Sequence, residues 1–238
     1  MSKSIFAGIS QGAKELNIEL PPEAEAAFEV YYDFLEKRGQ HVNLTAISGA
    51  EEVVHLHFLD SIAVLKTTEF KNKKVIDIGS GAGFPGVPIK LAEPTVKLTL
   101  LDSTGKRITF LTELCKLLNI ETMCINSRAE DAAKQLEMRE QFDIVVSRAV
   151  ARMNILCELC LPYIRIGGLF IAMKSIDTDT EIADAQNAIR LLGGNLQTNY
   201  DYKIPGTEII HRAVLIHKTL STPEKYPRRF ARIQNAPL

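Results

Sequence analysis

No apolar run approaches the ~18 residues that a membrane-crossing helix requires, which argues against a helical membrane protein. The opening stretch "MSKSIFAGISQGAKELN" lacks the basic patch and long apolar segment of a secretory signal, so a cytoplasmic chain is expected. Cysteine is scarce. Cys115, Cys124, Cys157 and Cys160 all lie in apolar segments, and in a reducing compartment they read as small core residues. Cys157-x-x-Cys160 has no second pair and no nearby histidines, so core packing is expected and a metal site is not. His55 and His57 do not revive one, since positions i and i+2 of a helix point apart. There is no internal repeat and no low-complexity tract. What remains is a chain of 238 residues, 46% hydrophobic and 24% charged, enough for one large domain or one domain with an appendage.

Charge is nearly balanced overall but not along the chain. Residues 1–70 hold eleven acids against five Lys or Arg, a net of -6, which leaves the rest at +5. A polyanionic partner is therefore compatible with the formal total of -1, because binding depends on where the charge lies.

The texture changes near residue 70. Before it the pattern is helical. "PPEAEAAFEVYYDFLEKRG" opens on prolines and acids and stops at Gly39, and "SGAE" (Ser48 to Glu51) has capping-box spacing ahead of the helix "VVHLHFLDSIAVL". From Lys74 short β-rich runs alternate with helices: "KVIDI", "VKLTLLD", "TMCINS", "FDIVVS" and "GGLFIAM". Helical stretches such as "KRITFLTELCKLLN", "NILCELCLPYI" and "DTEIADAQNAIRLL" lie between them. "YDYKI" and "HRAVLIHK" then follow one another without a helix, as an antiparallel hairpin would. The expected fold is α/β, a doubly wound, mostly parallel sheet with a terminal antiparallel hairpin. Three regions are expected: a helical extension over 1–70, the sheet domain over 71–220 and a basic tail over 221–238.

"KVIDIGSGAGFPGVPIKLAE", residues 74–93, places four glycines and two prolines after the first strand, where open α/β sheets bind ligands. Gly81, Gly83 and Gly86 fit the G-x-G-x-x-G dinucleotide fingerprint. The same stretch fits an acid in the strand end followed by G-x-G-x-G, the pattern of S-adenosylmethionine (AdoMet) sites. Pro85 and Pro88 remove amides that a pyrophosphate would need. Asp77 would repel that anion yet suits the cationic end of AdoMet, and Asp102 closes the second strand, where a carboxylate accepts ribose hydroxyls. These features favour AdoMet, with Asp77, Gly81, Gly83 and Asp102 at the cofactor. A nicotinamide oxidoreductase stays open.

Several motifs in order add a resemblance: "NLTAI", "HFLDSI", "DIGSGAGFPGVP", "LLDSTGKRITFL", "SRAED", "VVSRAVA" and "YPRR". From about residue 40 to its end, the chain resembles the bacterial small-subunit rRNA guanine-N7 methyltransferases, also called the glucose-inhibited division protein B family. The resemblance implies AdoMet as donor and, as substrate, one guanosine in the 530 loop of 16S ribosomal RNA, free or in an assembling subunit. It places Gly79, Phe84, Asp102, Ser103, Thr104, Ala129, Glu130 and Arg148 around the cofactor or the reacting base. "STG" stands where many members have "SLG", which leaves Asp102 and Ser103 in place.

The chemistry agrees with what is missing. N7 of guanine carries a lone pair and no proton, so transfer to it needs positioning and no general base. "SRAVARM" follows the fourth strand where amino-group methyltransferases keep an Asn/Asp-Pro-Pro-aromatic motif, and no Pro-Cys nucleophile stands there. Lys106, Arg107, Arg128, Arg152 and Lys174 follow strand ends on the ligand side. With Arg228, Arg229, Arg232 and Lys225 in the tail, they suit phosphates. Arg148 is expected at the transfer step, with the methionine carboxylate, Glu130 or guanine O6 as acceptor. His57 and Asp60 are expected to share a face and pair at the domain junction, and Asn43 and Thr45 to serve as turn or cap residues. A methyltransferase acting on a small molecule or protein is the other alternative, and a monomer is expected.

Overall fold

A strand with no polar face must be covered on both sides, and β1 (Lys74–Ile78) is such a strand, with Val75 to Ile78 all buried. The structure, a computed structural model, describes residues 6–39 and 49–238; Asn43, Thr45 and the Ser48 of the expected capping box lie outside them.

The chain opens with α1 (Ala7–Glu15) and α2 (Ala24–Gly39), then α3 (Ala50–Val53). α3 runs on through a π-helical turn (Val54–Leu59) into α4 (Asp60–Ala63) and a 3-10 turn (Val64–Lys66). The sequence predicts one plain helix here. The difference is local: Ser61 Oγ donates to the His57 carbonyl at 2.5 Å, inside the widened turn. After β1 the alternation is regular: α5 (Gly86–Ala92), β2 (Lys97–Asp102), α6 (Gly105–Leu117), β3 (Thr122–Asn126), α7 (Ala129–Ala132) and β4 (Phe142–Arg148). It continues with α8 (Met153–Cys160), β5 (Ile164–Ser175), α9 (Asp179–Asp184) and α10 (Gln186–Leu191). The helix expected over 179–192 is thus broken at Ala185, whose N–H is shared between the Glu181 and Ile182 carbonyls. β6 (Gly194–Lys203), β7 (Ile210–Lys218) and α11 (Phe230–Asn235) close the chain.

All seven strands form one sheet in the order β3-β2-β1-β4-β5-β7-β6. β7 runs antiparallel to β5 and β6, and the other pairs are parallel. The expected doubly wound sheet and terminal hairpin are both present.

Each face of the sheet carries its own core. One packs Ile76, Val145 and Phe170 against α8, α10 and α11. Cys157 and Cys160 are fully buried there, as core residues. The other joins the N-terminal helices to the sheet: Phe28, Tyr31 and Phe58 share it with Leu100, Leu111 and Val146. Burying each such side chain stabilises by about 2 kcal/mol. The helices within 6–39 and 49–66 therefore pack firmly onto the sheet. Tyr31 donates to Ala82 O at 2.7 Å, which fixes the glycine loop from beneath.

Candidate active site

The strand order reverses between β1 and β4, so their following loops part and leave a crevice. The glycine loop forms its floor. Gly79 N and Ser80 N both donate to Leu101 O, at 2.8 and 3.1 Å, which ties the loop to β2. Gly79 and Gly81 have φ of +75° and +56°, a region that side chains disfavour. A Cβ on Gly79 would lie 2.5 Å from Val150 Cγ2, whereas one on Gly81 would meet only Gly79 O, at an ordinary 3.9 Å. Gly83 differs from the expectation. A Cβ there would strike the Tyr31 hydroxyl at 2.7 Å and Leu111 at 3.2 Å, so this glycine lets the N-terminal helices close on the loop and does not face the crevice.

Asp77 is also corrected. It is fully buried and lines neither cavity of the crevice. Its Oδ2 accepts from Gly86 N at 2.9 Å and its Oδ1 has no partner. Burial pushes its carboxyl up to about 7, against the pull of the Gly86 amide and the Arg148 charge. Asp77 shapes the loop from below.

Two cavities open above the strands, and Gly79, Arg107 and Ala149 line both. The smaller, about 290 Å³, has Asp102, Ser103, Ala129 and Glu130 on its polar side and Ile78, Leu101 and Leu159 on its apolar side. Asp102 is held in place. Its Oδ2 accepts from Gly81 N at 3.0 Å and its Oδ1 from Thr104 N at 2.8 Å. Thr104 acts there by its backbone and lines neither cavity. Tyr163 Oη donates to Ala129 O at 2.6 Å and anchors the facing wall. An acceptor at the end of β2, a glycine cradle and an apolar slot together fit the nucleoside and amino-acid halves of AdoMet.

The larger cavity, about 550 Å³, is lined by His57, Asp60, Phe84, Arg148, Lys174 and His211 among others. Phe84 stacks on His57 with centroids 4.5 Å apart, and the Arg148 guanidinium lies over the same ring at 4.9 Å. Arg148 donates to Asp60 Oδ2 at 2.9 Å and to Leu56 O at 3.2 Å. Asp60 is not among the three acceptors expected, the methionine carboxylate, Glu130 and guanine O6. Arg148 links Asp60 to His57, donating to His57 Nδ1 at 3.1 Å. Burial and then the Arg148 charge push the His57 pKa down to about 4, so the ring is neutral and Nδ1 accepts. Asp60 is opposed by burial, but bonds from His211 and Tyr202, both at 2.8 Å, and the Arg148 charge hold its pKa below the usual carboxylate value. Ala149, just past Arg148, has φ of +56°, a strained turn that brings this loop into both cavities.

The expected phosphate cations divide. Lys106, Arg128 and Arg229 are exposed, and Arg152 pairs in the open with Asp184. Arg107 reaches Asp102 at 3.4 Å on the crevice wall. Lys174 is half-buried, donating to Ala151 O and Glu181 at 2.8 and 2.7 Å. Arg228 is withdrawn altogether: it donates to Glu158, a fully buried carboxylate on α8, through Nε and Nη2. Sequence reasoning missed Tyr202, His211, Glu158 and Phe230. Only Glu158 left a signal, as the one acid in an apolar helix. His55 turns away to Pro205 O, and no cluster of metal-ligating side chains occurs among the described residues.

Residues 24–207 match the model of the family described as rRNA small subunit methyltransferase G (GidB). This chain belongs to that family. Curated relatives agree along their whole length. The ribosomal RNA small subunit methyltransferase G of Thermoanaerobacter sp. (strain X514) is 46% identical over 230 residues, 96% of each chain. That of Clostridium perfringens (strain SM101 / Type A) is 43% identical over 234 residues, 97% of each. The family activity is methyl transfer, with AdoMet as the donor, and small-subunit rRNA is its substrate. Solved structures extend the likeness of fold alone. A methyltransferase from Pyrococcus furiosus superposes with a TM-score of 0.57 at 12% identity, covering 79% of this chain and 98% of that one. M. jannaschii TYW2, solved in complex with AdoMet, superposes at 0.51 and 14% identity, covering 74% and 80%. No helix among the described residues is long and apolar enough to cross a membrane.

Proposed function

We propose that this chain transfers a methyl group from AdoMet to N7 of a guanosine in the 530 loop of 16S rRNA, acting in the cytoplasm as a monomer on free rRNA or on an assembling small subunit. One observation carries the reading: a nucleoside-sized slot ending at Asp102 continues, through Gly79, into a chamber with an aromatic floor and an arginine fork. Asp102, the Gly79–Gly81 backbone and the Ala129–Glu130 segment would hold the cofactor. When bound, AdoMet supplies a methyl group on a positively charged sulfur.

The protein's own groups then have little to do but place the base. N7 has no proton to lose, and the ring nearest the chamber, His57, is neutral and already bonded to Arg148. Phe84, buried and stacked with both Tyr31 and His57, stiffens the chamber floor, and the half-buried His57 ring is the surface it leaves to a purine. The guanidinium above them presents donors of the kind that pair with guanine O6, which would turn N7 toward the donor. Arg107 and Arg128 line the crevice and Lys106, Arg152 and Arg229 are exposed, and such cations suit the phosphate backbone. The test is direct: incubate the protein and AdoMet with naked 16S rRNA and, separately, with assembling subunits, then map 7-methylguanosine. Methylation at a guanosine outside the 530 loop, or at another atom, overturns the proposal.

A further inference from the structure

The C-terminal tail is fastened to the domain at two points. Arg139, in the stretch ahead of β4, donates through Nη1 to Tyr226 O at 2.9 Å and through Nη2 to Thr222 O at 2.7 Å. Further on, Glu158 accepts from the Arg228 backbone N–H at 2.8 Å and from its Nε and Nη2 at 2.9 and 2.6 Å. Beyond these clamps Ile233 is fully buried in the core. The clamps fix where Phe230 goes. It lies on the wall of the smaller cavity, together with Asp102, Ala129, Glu130 and Leu159. Arg128, on the same wall, covers the Phe230 ring with its guanidinium 5.4 Å from the centroid. Arg128 is exposed, and Phe230 packs on the core with part of its surface left open.

We propose that Phe230 is a cofactor-binding residue, an aromatic wall backed by Arg128 against which the flat nucleoside half of AdoMet packs. The proposal rests on placing AdoMet in this crevice, and it gives the first residue of α11 to the cofactor site while the exposed Arg229 beside it stays on the RNA path. Asp102 and Glu130 supply polar partners in the slot, but a purine also needs a face to lie on. Ile78, Leu101 and Leu159 give one apolar side and Phe230 the only aromatic ring among the cavity's lining residues.

The experiment is calorimetric titration of the full-length protein with AdoMet, and with S-adenosylhomocysteine, for wild type, Phe230→Ala, Phe230→Leu, Phe230→Tyr and Asp102→Ala. Phe230→Ala should weaken both ligands about tenfold, the scale of one lost aromatic stacking contact. Phe230→Leu, which keeps apolar bulk and guards against a folding defect, should lose several-fold, and Phe230→Tyr should bind as wild type does. Unchanged affinity in Phe230→Leu and Phe230→Ala, with Asp102→Ala impaired, overturns the role of Phe230 and leaves the cofactor site standing. Wild-type affinity in Asp102→Ala would instead overturn the site itself, and the proposal with it.

Discussion

Arg148 Nη1 lies 2.9 Å from Asp60 Oδ2, so the fork that faces the substrate chamber is braced by the N-terminal helices. Asp60 is 1% exposed, and removing one member of a buried pair strands the other's charge. Arg148→Ala should therefore cost about 3 kcal/mol of stability in urea titration as well as nearly all turnover. Arg148→Lys keeps the charge and loses the fork; its turnover should fall at least tenfold with the melting temperature little changed. A wild-type rate in Arg148→Lys would leave the residue a structural role alone.

The glycine loop makes a different forecast at each position. Gly79→Ala must displace Val150 as well as accept a φ of +75°, so both cofactor affinity and stability should drop. Gly81→Val has room for its Cβ, and the branched side chain projects where AdoMet would approach the backbone. It should lose AdoMet affinity by more than tenfold, with a stability cost of only about 1–2 kcal/mol from the left-handed backbone. Unchanged affinity in Gly81→Val would move the cofactor elsewhere.

Asp77 sets a pH dependence. Its pKa is raised from 3.8 to about 7, so the unfolded chain ionises first and the group's contribution to stability, complete below pH 4, is lost as pH rises toward 7. Asp77→Asn cannot ionise. Its stability relative to wild type should rise between pH 4 and pH 7, by about 1.4 kcal/mol for each pH step of one. Denaturant titrations of the two ligand-free proteins at pH 4.5, 6 and 8 measure this, and parallel profiles would mean an ordinary carboxyl.

The tail arginines should separate by assay. Arg229→Ala combined with Lys106→Ala removes two exposed cations, and RNA binding should weaken at low salt with its salt slope reduced by about one unit per contact. Arg228→Ala should leave that slope alone and lower stability by about 3 kcal/mol, because it strands Glu158 in the core. A flattened slope in Arg228→Ala would return that side chain to the RNA path.

The parts of this molecule that are local in sequence were legible there. The apolar runs ending at Ile78, Asp102 and Arg148 gave the strands, and uninterrupted passage from "YDYKI" to "HRAVLIHK" gave the hairpin. The Asp102 carboxylate and the Gly79–Gly81 turn followed from their place after those strands. What stayed hidden was pairing at a distance. Nothing near Asp60 announces Tyr202 or His211, and the basic look of "YPRRFARIQ" conceals that one arginine is tied to Glu158. Gly81 and Gly83 share one motif and a positive φ, yet one faces the crevice and the other a tyrosine, a difference that only packing decides.

The reach of Asp60 also bears on how the protein is made. Its partners Arg148, Tyr202 and His211 come 88, 142 and 151 residues later in the chain. Such contacts close large loops and form late, at a high entropic cost. A nascent chain still lacking the β6–β7 hairpin can form the Asp102 and glycine-loop side of its nucleoside slot, but it has neither the Phe230 wall of that slot nor the His211 side of the chamber where the base would lie. Competence then waits for the last part of the chain, and no released fragment short of residue 211 should methylate.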